Sequence, residues 1–257
     1  MSHRSKLDSD GTVVIEGLFS ASEILALGTA LDAVTGGTPQ LPEDLRDLLT
    51  LERDLAPRQR GEITPEQAGD CVFLVGELQR FAPTFEALIT HPKILETLEA
   101  LFESRDFAFH FMNATVKSAH VGSKVGWHRD WPNKYLCGAT SNQVRLMLCI
   151  DGMRQGEGAL EVVRGSHSIS DEQARTAKPR GREWRPDEIA TIDCAPGALV
   201  ALHSKLVHGS GPNRSPRARR NILMQWGGPG CDLVGEAREM RTGWQPIGTL
   251  DNTNVTR

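Results

Sequence analysis

The 257-residue chain has five cysteines, Cys71, Cys137, Cys149, Cys194 and Cys231, and no two of them form a CxxC pair. An odd count at wide spacing argues against a disulfide framework and a cysteine zinc site, and fits a reducing compartment. No run approaches the roughly 20 apolar residues of a membrane helix. The opening stretch, MSHRSKLDSDG, has no apolar core, so no secretory signal is expected and a cytoplasmic location is. Basic residues are not in excess either: 29 Lys and Arg stand against 33 Asp and Glu, a net charge of −4. No overall field therefore recruits nucleic acid or an anionic membrane. Internal repeats and low-complexity segments are absent. The remaining composition, 39% hydrophobic and 24% charged, is that of an ordinary globular chain. The length suits one large domain, so a single domain over 1–257 is expected, a monomer or homodimer acting on a small molecule.

Residues 1–9 are polar and expected to be frayed. Thr12-Val13-Val14-Ile15-Glu16-Gly17 predicts a short strand, and Ser20 or Ser22 can cap a helix with Glu23 in its first turn. Ile24, Leu27, Leu31 and Val34 give that helix one buried stripe. Residues 36–68, rich in Gly, Pro and charge, predict a loop with at most one short helix near Leu45–Leu51. Two further helices are expected at roughly 65–80 and 83–103, the second broken or restarted by Pro92. Beyond about residue 106 the texture changes to short strands: Phe107–Val116, Val144–Ile150, Gly158–Val163, Ile189–Ile192, Ala198–Leu202 and Asn221–Trp226. Helices followed by strands predict an α+β, mainly β architecture in which helices buttress a sandwich or barrel. The polar stretch 171–188 predicts a long loop, and such loops often serve as lids.

The chemistry concentrates in Trp127-His128-Arg129-Asp130. Residues i and i+2 of a strand share a face, so His128 and Asp130 can reach one metal ion. A second histidine from a distant strand would complete a set of two imidazoles and one carboxylate. That set leaves adjacent positions open on iron(II), as an oxygenase needs. The HxD tripeptide alone is common, and it equally describes a turn histidine beside a solvated aspartate. His203 and His208 both qualify as the distal histidine.

The motifs in order resemble the phytanoyl-CoA dioxygenase family of 2-oxoglutarate oxygenases, from about Asp8 to Trp226. They are Gly11-Thr12-Val13-Val14-Ile15-Glu16-Gly17, the WHxD run at Trp127, Gly158-Ala159-Leu160-Glu161-Val162-Val163-Arg164-Gly165-Ser166-His167, Pro196-Gly197-Ala198, His208-Gly209-Ser210 and Asn213-Arg214-Ser215. The resemblance implies a double-stranded β-helix (a jelly roll of cupin type) buttressed by N-terminal helices. It implies iron(II) on His128, Asp130 and His208, with 2-oxoglutarate and dioxygen as cosubstrates. It further implies that Arg219, eleven residues after His208, grips the distal carboxylate of 2-oxoglutarate, assisted by Ser210 and by Lys117 on the strand before the metal motif. A guanidinium suits that task because its planar fork gives two charge-assisted hydrogen bonds. The carboxylate at Asp130 implies hydroxylation or a related oxidation, since halogenases of this kind lack it. A solvated place in the run Arg214, Arg217, Arg219, Arg220 is the other reading of Arg219.

Strand parity adds an inference independent of that resemblance. Val144, Leu146, Leu148 and Ile150 form an aliphatic face that should meet the helices, which turns Gln143, Arg145, Met147 and Cys149 into the barrel. A buried arginine needs an anion, so Arg145 is a candidate contact for a carboxylate of cosubstrate or substrate. The lid-like stretch carries Arg175, Lys178, Arg180, Arg182 and Arg185, which suit either an anionic small molecule or plain solvation. The expected function is oxidation of a small metabolite or natural-product intermediate. A cupin-like metal enzyme using no 2-oxo acid and a silent binding protein on the same fold are the competing readings.

Overall fold

A helix, α1 (His3–Asp10), stands where the frayed start is expected. Ser2 caps it by accepting the Ser5 N–H, and Gly11 ends it at φ 76°, a conformation that favours glycine. Leu7 is its one buried side chain, and Arg4 donates to the carbonyl of Leu101. One apolar residue in a polar helix leaves no periodicity to detect. The computed structural model describes residues 1–133, 137–179 and 183–234.

Strand β1 (Thr12–Ile15) and helix α2 (Ala21–Gly36) follow as predicted. Ser20 accepts the Glu23 N–H while the Glu23 carboxylate accepts the Ser20 N–H, a reciprocal cap. Residues 36–80 depart from expectation. They form α3 (Glu43–Arg46), β2 (Leu49–Leu51), α4 (Pro57–Arg60), α5 (Pro65–Ala68) and β3 (Val72–Val75). The helix expected over 65–80 stops after one turn at Gly69, φ 55°, and the apolar run after it is a strand pairing with β2. A four-residue run that is apolar throughout cannot be told from helix by periodicity. Beyond it come α6 (Pro83–Glu86) and α7 (Pro92–Phe102), with Pro92 starting the second helix.

The β region holds β4 (Ala108–Lys117), β5 (Val125–His128), β6 (Cys137–Gly138), β7 (Gln143–Cys149), β8 (Leu160–Val163), α8 (Asp171–Thr176), β9 (Ile189–Thr191), β10 (Ala198–His203), β11 (His208–Ser210), β12 (Arg219–Gly227) and β13 (Leu233–Val234). One sheet runs β1-β10-β7-β12-β4-β3-β2 and a smaller one β5-β11-β8-β9. Leu146, Leu148, Ile150, Ile222 and Met224 point outward from the larger sheet into one core with Leu27, Leu31, Phe85 and Leu98. Met147, Cys149, Val200, Leu202 and Leu223 point the other way and meet Leu160 and Val162 of the smaller sheet. The face assignment from parity therefore holds for β7, and β12 alternates in the same way. Two sheets enclosing a side-chain-lined interior, with helices on one outer face, make a double-stranded β-helix. Among the described residues no helix is long and apolar enough to cross a membrane.

Candidate metal centre and cosubstrate pocket

Strands β5 and β11 pair so that His128 lies directly opposite His208, with ring centroids 4.2 Å apart. Each ring is tethered alike. His128 Nδ1 lies 2.9 Å from the Gly126 carbonyl, and His208 Nδ1 lies 3.0 Å from the Leu206 carbonyl. A carbonyl can only accept, so both rings carry their proton on Nδ1 and present a bare Nε2. Burial, with His208 alongside, lowers the pKa of His128 to about 4, which keeps the ring neutral at physiological pH.

Asp130 lies two residues past the end of β5, so strand alternation is not what aims it. A turn does: the Asp130 and Trp131 N–H groups both donate to the Ser204 carbonyl, at 3.1 and 2.9 Å. Asp130 Oδ1 then stands 3.8 Å from both bare imidazole nitrogens, and the three ligand atoms lie within 4.8 Å of one another. Burial would raise the carboxyl pKa, but the Arg145 guanidinium beside it lowers it and holds the group ionised. Neither oxygen accepts a well-aligned hydrogen bond, although Arg145 Nη1 approaches Oδ1 to 2.6 Å as an ion pair. Two lone-pair nitrogens and an unsatisfied carboxylate around one point are a donor set for a divalent cation with open positions. Among the described residues, no other group of His, Cys, Asp or Glu converges in this way.

His203, the rival ligand, ends β10 elsewhere; its Nδ1 accepts the Lys205 N–H and its ring lies 5.3 Å from His167. His167 bonds the Asp8 carbonyl and His110 the Cys231 carbonyl, so both tie segments together. His120 is exposed at φ 65°.

Lys117 and Arg219 are register partners on β4 and β12, and both are buried. Lys117 Nζ donates to the Gly211 carbonyl, Arg219 Nη1 lies 3.6 Å from Met153 Sδ, and Arg219 Nε has no partner. With its amide oxygen turned toward Arg219 Nη1, Asn221 accepts at 2.9 Å. Burial, then the neighbouring Arg219, lowers the Lys117 pKa to about 6; burial lowers that of Arg219 to about 10. A buried lysine and arginine with no carboxylate paired to them among the described residues are costly to keep charged, and a bound carboxylate would relieve them. Ser210 is buried on β11, two residues from His208.

Arg145 lies on the barrel face that parity predicts, and its Nη1 stands 2.6 Å from Asp130 Oδ1. Sequence reasoning missed Glu52, a fully buried acid inside the segment expected to be a loop. It accepts the Ser123 N–H, burial raises its pKa, and its field reaches Lys117. The start of the lid-like stretch is helix α8, with Arg175 stacked 4.5 Å over the Trp131 ring. Arg180 and Arg182 lie outside the described residues. A groove of about 400 Å³ beside α2, lined by Ile24, Gly28, Asp32 and Arg220, is on the helical side of the large sheet, away from the triad.

The sequence profile described as phytanoyl-CoA dioxygenase (PhyH) matches residues 7–221. The chain belongs to the phytanoyl-CoA dioxygenase family. Within reach of this family member is the L-proline trans-4-hydroxylase of Streptomyces griseoviridis, 25% identical over 209 residues, 71% of this chain and 77% of that one. The ectoine dioxygenase of Bordetella bronchiseptica is 21% identical over 239 residues, 84% and 71% of the two chains. Among solved structures, EctD from S. alaskensis with bound Fe superposes with a TM-score of 0.69 at 19% identity, covering 90% of this chain and 78% of EctD. The epimerase SnoN in complex with Fe3+, alpha ketoglutarate and nogalamycin RO gives 0.70 at 18%, covering 96% and 92%. These likenesses establish the jelly-roll fold of this phytanoyl-CoA dioxygenase family member.

Proposed function

We propose that this chain, an iron(II)- and 2-oxoglutarate-dependent oxygenase by family, hydroxylates or otherwise oxidises a C–H bond of a small metabolite or natural-product intermediate. The observation that carries the reading is the pair of carbonyl-tethered imidazoles with bare Nε2 atoms facing the buried Asp130 carboxylate. His128, Asp130 and His208 would hold the iron, and Arg219, Ser210 and Lys117 would hold 2-oxoglutarate. When bound, iron and 2-oxoglutarate supply the oxidising power from dioxygen, with succinate and carbon dioxide as coproducts. The chain's own residues set the geometry. The Gly126 and Leu206 carbonyls fix the ring orientations, and Ser204 fixes Asp130. Met147, Met153 and Leu223 line the wall beside Arg219 and Asn221 and exclude water, which strengthens a carboxylate contact there.

A metal enzyme using no 2-oxo acid would have no use for the buried Lys117 and Arg219 pair, and a silent binding protein none for ligand-ready imidazoles. The relatives named for proline and ectoine favour a small, amino-acid-like substrate. The test is succinate formation across a panel of such compounds. Compound-stimulated succinate matched by an oxidised product supports the reading. Succinate that no compound stimulates, with the panel recovered unchanged, opposes it.

Lys117 gives the cosubstrate step a pH dependence. In the free pocket its ammonium is lost as pH rises through about 6, and a carboxylate placed beside it raises that value. Binding above pH 6 therefore takes up a proton, and 2-oxoglutarate affinity falls as pH rises. Calorimetry in two buffers of different ionisation enthalpy, about a unit above that pKa, should show net uptake in the native chain and none in Lys117→Met. Equal uptake in both would assign the proton elsewhere.

A further inference from the structure

We propose that Arg145 determines specificity for an acidic substrate, its guanidinium taking a carboxylate of the molecule to be oxidised. This rests on the oxygenase reading above and adds the substrate's chemical class.

The register of β12 separates two cationic positions. Arg219 pairs with Lys117 near one end of the strand, while Gln225, six residues on, pairs with Arg145 of β7. Six residues of strand span roughly 20 Å. A carboxylate held at Arg219 is therefore not the one that Arg145 takes, and the end of a 2-oxo acid that meets the metal would share its charge with the ion. The Asp130 contact puts Arg145 beside the metal centre, where a molecule presented for oxidation has to come.

Arg145 also has unused binding capacity. Of its five N–H donors, one on Nη1 faces Asp130 Oδ1 at 2.6 Å and one on Nη2 donates to Gln225 Oε1 at 2.9 Å. The guanidinium lies 5.3 Å from the Phe111 ring centroid, and Nε is buried without a partner. The side chain is 11% exposed, and Asp130 is its ion-pair partner among the described residues. A divalent ion on Asp130 would share that single negative charge and leave the guanidinium undercompensated in a nearly dry interior, which is costly. Gln225 and Phe111 bring no charge to offset it. A carboxylate from the substrate restores the balance and occupies the idle donors.

The experiment uses the full chain loaded anaerobically with iron(II) and 2-oxoglutarate, and measures binding of matched acids and amides by calorimetry. The probes are L-proline with L-prolinamide and cyclopentanecarboxylic acid with its amide. The native chain should bind at least one acid about tenfold or more tighter than its amide, a gap of one charge-assisted contact. Arg145→Gln, loaded at iron(II) and 2-oxoglutarate concentrations that saturate it, should bind the acid no tighter than its amide. Arg145→Lys, which keeps a cation beside Asp130, should retain part of the preference, and it serves if the glutamine variant does not fold. The proposal is overturned if no acid outcompetes its amide, or if the preference survives in Arg145→Gln. It is also overturned if the saturated variant binds acid and amide alike, both far more weakly than the native chain binds the amide, because Arg145 would then only position Asp130. Failure of the oxygenase reading shows separately, as absent 2-oxoglutarate binding in the native chain before any probe is added.

Discussion

Alanine at His128, Asp130 or His208 should end succinate formation and sharply weaken iron(II) binding. The three side chains are the ones that converge, and each alone supplies its donor atom. Losing an outer hydrogen-bond partner of a metal ligand typically costs about 10- to 100-fold in metal affinity or activity, and losing the ligand itself should cost more. His203→Ala is the control. Its Nδ1 already accepts the Lys205 N–H and its ring packs by His167, so iron binding should be retained. Iron affinities of the four variants, measured anaerobically by equilibrium dialysis, decide the matter. Retention in His208→Ala with loss in His203→Ala would reassign the distal ligand.

Arg219→Ala and Arg220→Ala should separate cleanly although the residues are adjacent. Arg219 points into the barrel and is buried there with no ion-pair partner among the described residues. Arg220 points to the helical side, where Asp151 and Asp32 pair with it and its pKa is raised, chiefly by the Asp151 hydrogen bond. Removing a desolvated partner of a bound carboxylate costs roughly 2–5 kcal/mol, or roughly 30- to several-thousand-fold in affinity. Arg219→Ala should show that loss in 2-oxoglutarate binding. Arg220→Ala should leave cosubstrate affinity near native and instead lower thermal stability, because Asp151 loses its partner while Asp32, largely exposed, is less affected. Calorimetric titration and a melting curve for each variant test both halves. A larger cosubstrate defect in Arg220→Ala would contradict the face assignment of β12.

Much of the site was legible from residue order, though not always for the reason first apparent. The alternation that turns Arg145 inward follows from aliphatic neighbours that must meet the helices, and the structure places them so. His128 and Asp130 do converge, yet Asp130 owes its direction to the Ser204 carbonyl, a contact between segments far apart in sequence. The choice between His203 and His208 was not open to spacing alone, since what removes His203 is the burial of β10 in the larger sheet. β3 was hidden because a short run apolar on both faces carries no period, and β2, Leu49-Thr50-Leu51, because three residues are too few to show one. Glu52 was hidden with them. That Arg145 needs an anion was legible, whereas its contact with Asp130 depended on the path of the chain after β5.

The most direct test of the account is the anaerobic spectrum of the iron(II)-loaded chain on addition of 2-oxoglutarate. A 2-oxo acid chelated to iron(II) gives a weak visible charge-transfer band, which needs two adjacent open positions on the metal. The account predicts that band in the native chain and in His203→Ala, its absence in His208→Ala, and a much higher 2-oxoglutarate requirement in Arg219→Ala. No band in the native chain with iron demonstrably bound, or an undiminished band in His208→Ala, would contradict it.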